Sequence, residues 1–151
     1  MANTNEELAA LSQLLKPLLP ANAKIALQNF PEKPVKQTLV LRSLPDEVTP
    51  IASGMTRTIR SYQIFYVDDR IDTAQAVGDA LKVYLAQTIS IPVNAQTLAF
   101  MRISSITGGK PFKTEGSAPL DGVFLTIQST SHTARSTEVY ETMQHASLEI
   151  N

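Results

Sequence analysis

The chain has 151 residues, 43% of them hydrophobic, and its 13 basic and 14 acidic residues leave a formal charge of −1. That length fits one domain with an arm or tail, and a near-neutral charge provides no global field toward nucleic acid or an anionic membrane. The sequence has no cysteine, which excludes a disulfide scaffold, a thiolate metal site and a cysteine nucleophile.

Only His132 and His145 could supply imidazole, so a histidine-rich metal site is excluded as well. The apolar runs fall well short of the roughly 18 residues a membrane helix needs. No basic residue precedes Leu8, Leu11 and Leu14, so the start does not read as a signal peptide and the expected compartment is the cytosol.

The first element reads as an amphipathic helix. Thr4 followed by Glu7 fits a capping box, Leu8, Leu11, Leu15 and Leu18 recur at helical spacing, and Pro17 and Pro20 end it. Residues 20–36 hold Pro20, Pro31 and Pro34 around Ile25 to Leu27, a short edge strand. Residues 37–43 alternate, with Leu39 and Leu41 on one side and Thr38, Val40 and Arg42 on the other. Residues 45–54 read as a loop.

Residues 55–67 read as a strand of roughly 40 Å. From Tyr62 to Val67 it is apolar on both faces, as in a central strand. From Met55 to Ser61 it is more polar, and that half is expected to leave the core as a hairpin arm paired with 37–43. Asp72, as N-cap with Gln75, opens a helix over 72–88. Ala74, Val77, Leu81, Tyr84, Leu85 and Thr88 form its apolar face, and Gly78 implies a close helix–sheet contact. A strand follows at 97–106, with Leu98, Phe100 and Ile106 on one side and Met101 and Ile103 on the other. Residues 107–119 read as a long loop. The last strand, 122–129, turns Val123, Leu125 and Ile127 inward. Val139, Met143 and Ile150 keep a loose helical spacing in a Ser/Thr-rich tail.

The expected fold is therefore α+β. A mixed, mostly antiparallel sheet of four to five strands packs with two helices, carries a projecting hairpin arm and forms a single domain over 1–129. A C-terminal tail, 130–151, docks on that domain or on a neighbour.

No motif carries chemistry. Asp68, Asp69 and Asp72 lack the mid-loop glycine and closing glutamate of a calcium loop. Gly108-Gly109-Lys110 is followed by Pro111 and lacks the upstream glycine of a phosphate loop. Ser131-His132 and Thr142/His145 lie in a polar stretch with no fixed orienting carboxylate. Catalytic residues, metal ligands and cofactors are accordingly expected to be none, and the protein is not expected to be an enzyme. Arg57 and Arg60, one on each face of the long strand, and Lys110, Pro111, Phe112 and Lys113 in the long loop are the candidates for an interface or lumen.

The order of elements resembles the tail terminator proteins of long-tailed bacteriophages, also labelled tail completion or minor capsid proteins. Three stretches carry the likeness: the leucine helix before a proline-containing linker, the strand-turn-helix run from Arg60 to Leu81, and the strand, Gly/Pro loop and strand from Phe100 to Ile127. The 107–119 loop departs from the family in lacking an acidic-Gly-Arg type turn before the last strand, and the tail is long. The resemblance implies a structural virion protein at the head-proximal end of the tail, assembled in the host cytoplasm. It would form a homohexameric ring on the last ring of tail-tube protein, stop tube growth and meet the head-connector protein, with DNA a partner only by passage through the lumen and no membrane involved. The competing expectations are a head-closure or tube-like connector component and a small-ligand-binding module.

Overall fold

The computed structural model describes residues 3–52, 54–88, 90–94, 99–116 and 118–134. Helix α1 (Thr4–Leu15) runs into a 3-10 turn at Lys16–Leu18. Strands β1 (Lys24–Leu27), β2 (Thr38–Ser43), β3 (Glu47–Ala52) and β4 (Met55–Asp68) precede helix α2 (Ile71–Gln87). Then come β5 (Ile91–Asn94), β6 (Ala99–Met101), β7 (Ile103–Lys113) and β8 (Asp121–Ala134). The fold is α+β: a six-stranded mixed sheet in the order β1-β2-β4-β8-β7, with β3 also on β4, and a small β5-β6 sheet. Among the described strands only β1 and β2 pair in parallel. The main sheet thus has one more strand than the upper expectation, and the two-stranded sheet was not anticipated.

Strand β4 organises the sheet. Its whole length, Met55 to Asp68, pairs with β8 from Ala134 back to Asp121. Its other edge is shared end to end, with β2 against Tyr62–Val67 and β3 against Met55–Ile59. The hairpin arm is therefore β3–β4, not the expected pairing of 37–43 with 55–61, and the expected loop over 45–54 is largely strand. Val48, Thr49 and Ile51 are β-branched residues on a half-exposed edge, a context that favours strand despite Pro50. The domain limit expected at 129 falls inside β8, which stays paired out to Ala134. The helical spacing expected in the tail lies outside the described residues.

The expected loop 107–119 is mostly β7, which runs to Lys113, and β8 begins at Asp121. Glycines at 108 and 109 read as loop, yet here they form a bulge with positive φ on an edge strand. A Cβ at Gly108 would sit 2.6 Å from the Phe124 carbonyl oxygen. The strand expected at 97–106 is broken at Arg102, with Ala99–Met101 paired to β5 and a second bulge between Ile103 and Ser105. These interruptions change the side-chain parity. Met101 is buried, Ile103 and Ile106 pack on the same core, and Phe100 is left exposed, while Leu98 lies outside the described residues.

The core lies between one sheet face and the two helices. Tyr62, Ile64 and Tyr66 of β4, Leu39 and Leu41 of β2, and Val123, Leu125 and Ile127 of β8 share that face, as their direct cross-strand pairing requires. Leu8, Leu11 and Leu15 of α1 and Ala74, Leu81 and Leu85 of α2 close over them. Gly78 lets α2 approach: a Cβ there would lie 2.6 Å from Val123 Cγ2. Tyr84 stays largely outside the expected apolar stripe, 37% exposed. Neither helix begins as its sequence suggested. Asn3 caps α1, its Oδ1 accepting from the Glu6 N–H at 2.8 Å while Glu6 accepts from the Asn3 N–H. That register frees Glu7 to point inward. Arg70, not Asp72, is the N-cap of α2, and Asp72 instead accepts from the Arg70 guanidinium and the Thr73 N–H.

Candidate functional site

Three sets of polar and aromatic side chains stand out. The first is buried. Glu7 (5% exposed) lies on α1 one turn before Leu11, and Arg60 (8%) and Tyr62 (0%) project from the core face of β4. The Arg60 guanidinium donates to Glu7 Oε1 at 3.0 Å and to Asp46 Oδ2 at 3.2 Å, and the Tyr62 hydroxyl donates to the other Glu7 oxygen. Burial and the carboxylate push the Tyr62 hydroxyl well above the usual tyrosine range. For Arg60, burial opposes the charge, but Glu7, Tyr62 and Asp46 outweigh it and the net shift is upward. Asp46 sits in the bend between β2 and β3, so the network ties the N-terminal helix to the root of the hairpin. A similar, smaller bond fixes the turn into α2: the Tyr66 hydroxyl donates to buried Asp68 at 2.9 Å.

The second set is the hairpin end. Val48, Ile51 and Met55 are 61%, 45% and 41% exposed. Arg57 shares with Met55 the face of β4 away from the helices, whereas Val48, opposite Thr58, is on the helix-facing side; Arg57 is half-buried, and its Nε is shielded from water with no hydrogen-bond partner among the described residues.

The third set is on that same sheet face near its opposite end. Phe65, Phe112, Phe124 and Phe30 form one cluster, with ring centroids of neighbouring pairs 5.7 to 6.4 Å apart. Phe112 lies across Gly122, where a Cβ would come within 2.6 Å of its ring. The Arg42 guanidinium stacks over Phe65 at 5.4 Å.

The six residues singled out in the sequence do not converge. Arg57 pairs opposite His132 and Lys110 opposite Phe124, so these rows are about 27 Å apart along β8. Arg60 is in the buried network rather than on a lumen surface. Lys110 is exposed on the aromatic face, and Phe112 belongs to the cluster. Pro111 faces the other way, beside Ile71, and Lys113 lies 3.8 Å from Asp121. Among the described residues, no group of three or more acidic or imidazole side chains is placed to hold a metal, and no helix is long and apolar enough to cross a membrane.

Sequence reasoning passed over Glu7, Asp46, Tyr62 and three of the four phenylalanines. A signal for Glu7 was present: with Leu11 and Leu15 it occupies one helical stripe, where a lone carboxylate demands a buried partner. Arg60 shares the parity of Tyr62, Ile64 and Tyr66, which marks it as that partner. Compared with known families and with curated proteins, the chain matches no family model and no individual protein.

Proposed function

We propose that this protein is a structural component of a phage tail, a terminator that assembles as a ring on the last ring of tube protein and presents a surface to the head connector. The proposal starts from the order of helices and strands. The observation that carries it furthest is the β3–β4 hairpin. Its exposed Val48, Ile51 and Met55 contribute nothing to the chain's own core, and apolar surface of that kind gains by burial against a neighbour. A head-to-tail contact through such a hairpin generates a ring when its rotation closes.

The test is a phage carrying Val48→Asp and Ile51→Asp together. Both side chains are solvent-facing, so the isolated variant should keep its thermal stability. Tails examined by negative stain should lose length control or fail to join heads. Normal tails and normal infectivity would remove the hairpin from any interface. If the gene proves dispensable for virion assembly, the terminator reading is wrong.

A further inference from the structure

We propose that the cleft between the 28–37 connector and the end of β7 binds an extended segment of a partner protein through an arginine side chain. The cleft measures about 250 Å³ and is lined by Phe30, Pro31, Pro34, Phe112 and Thr114 together with the carboxylates Glu32 and Glu115. That volume is below the roughly 300–1,000 Å³ of pockets that enclose a drug-sized molecule, and it suits one long side chain entering from a chain laid across the mouth. The apolar walls are held in place. Phe30 and Phe112 each meet Phe65 edge-on, at 5.8 Å and 87°, and Phe112 is seated by the absence of a Cβ at Gly122. A preset wall of this kind lowers the ordering cost of binding.

Charge selects the occupant. Glu32 and Glu115 are both exposed, and among the described residues neither forms an ion pair with a basic residue. An aromatic surface together with carboxylates favours a cation that can stack and donate at once, and the planar guanidinium does both. The protein already uses this arrangement nearby, where Arg42 stacks on Phe65 and donates to the Gln63 side-chain carbonyl. Pro31 and Pro34 add ridges without N–H groups, against which an extended segment lies flat. Binding in this cleft does not require the ring proposed above.

The experiment is fluorescence anisotropy of the full chain with a labelled, proline-rich synthetic peptide carrying one central arginine, beside matched peptides with glutamine or lysine there. The arginine peptide should bind about tenfold more tightly than the glutamine one, the size expected of a stacked, carboxylate-paired guanidinium. Glu32→Gln and Glu115→Gln together should remove that preference, and added salt should weaken it. Phe112→Ala should do the same. Because that change could also loosen the sheet, the two glutamine variants, on exposed connectors, decide the matter. Equal binding of the arginine and glutamine peptides, an arginine preference that survives both glutamine variants, or lysine serving as well as arginine would each overturn the assignment.

Discussion

Replacing Glu7 by Leu offers the sharpest test of how the N-terminal helix is held. The change removes the carboxylate from a site 5% exposed and leaves Arg60 and Tyr62 behind. Breaking a buried ion pair by deleting one partner costs about 3–5 kcal/mol, because the remaining charge loses both water and partner. Here Arg60 keeps Asp46 at 3.2 Å, whose side chain is 33% exposed, so the lower end of that range applies to the charge. The orphaned Tyr62 hydroxyl adds about 1 kcal/mol. The expected loss is about 3–4 kcal/mol, a fall in Tm of about 6–16 °C for a domain of this size. Glu7→Leu combined with Arg60→Met and Tyr62→Phe should be less destabilised than Glu7→Leu alone by at least about 1 kcal/mol, since no polar group is then stranded. Urea unfolding of the wild type, the single and the triple variant measures both quantities. A single-variant loss below about 1 kcal/mol would refute the reasoning, and so would a triple variant as unstable as the sum of its parts. Either result would mean that Glu7 is not the partner on which Arg60 depends.

The close approach of α2 makes a contrary prediction about helix propensity. Gly78→Ala would normally stabilise a helix interior by about 1 kcal/mol, yet its Cβ would meet Val123 Cγ2 at 2.6 Å. Thermal unfolding should show a net loss of about 1–2 kcal/mol, relieved when Val123→Ala is added. Leu81→Ala, at 1% exposure, should cost about 2–5 kcal/mol by the same assay. The tyrosines set the alkaline limit. Burial and their carboxylate partners push Tyr62 and Tyr66 well above the usual range in the folded state, whereas unfolded tyrosine loses its proton near pH 10. Their contribution is intact below about pH 10 and falls as pH rises beyond it, because the unfolded chain releases those protons first. The tyrosinate absorbance due to Tyr62 and Tyr66 should rise together with loss of helical circular dichroism. Titration of Tyr62 and Tyr66 ahead of unfolding would contradict the buried bonds.

The parts of the fold legible in the sequence were those where one period runs unbroken. Leu8, Leu11 and Leu15 mark α1, and Val123, Leu125 and Ile127 mark β8, each on the face its spacing implies. The close contact at Gly78 was legible too, since glycine in a helix interior needs a reason. What was not legible lies where backbone geometry interrupts the pattern. Gly108, Gly109 and Pro111 read as loop, but an edge strand accommodates bulges and a proline because its outer N–H groups need no ladder partner. Pro50 concealed β3 for the same reason. The aromatic cluster was invisible because its members come from four separate segments: Phe65, Phe112 and Phe124 meet through strand register, and Phe30 is brought in by the connector after β1. The buried network is likewise non-local, bringing together positions 7, 46, 60 and 62.

The uninterrupted pairing of β4 with β8 has a mechanical consequence. All of Met55 to Asp68 is in one register with Asp121 to Ala134, so the hairpin end and the core end cannot be adjusted separately. Because side chains alternate with a period of two, inserting one residue in the middle of β4 would keep one end in place and turn the other inside out. Insertion near Ser61 would either expose Tyr62, Ile64 and Tyr66 or bring Arg57 and Met55 round to the helix side. The two strands therefore act as a rigid lever, in which the packing beneath α1 and α2 fixes the direction in which Val48, Ile51 and Met55 are presented some tens of ångströms away. Changes in length are tolerable outside that lever, as in the connector over 28–37.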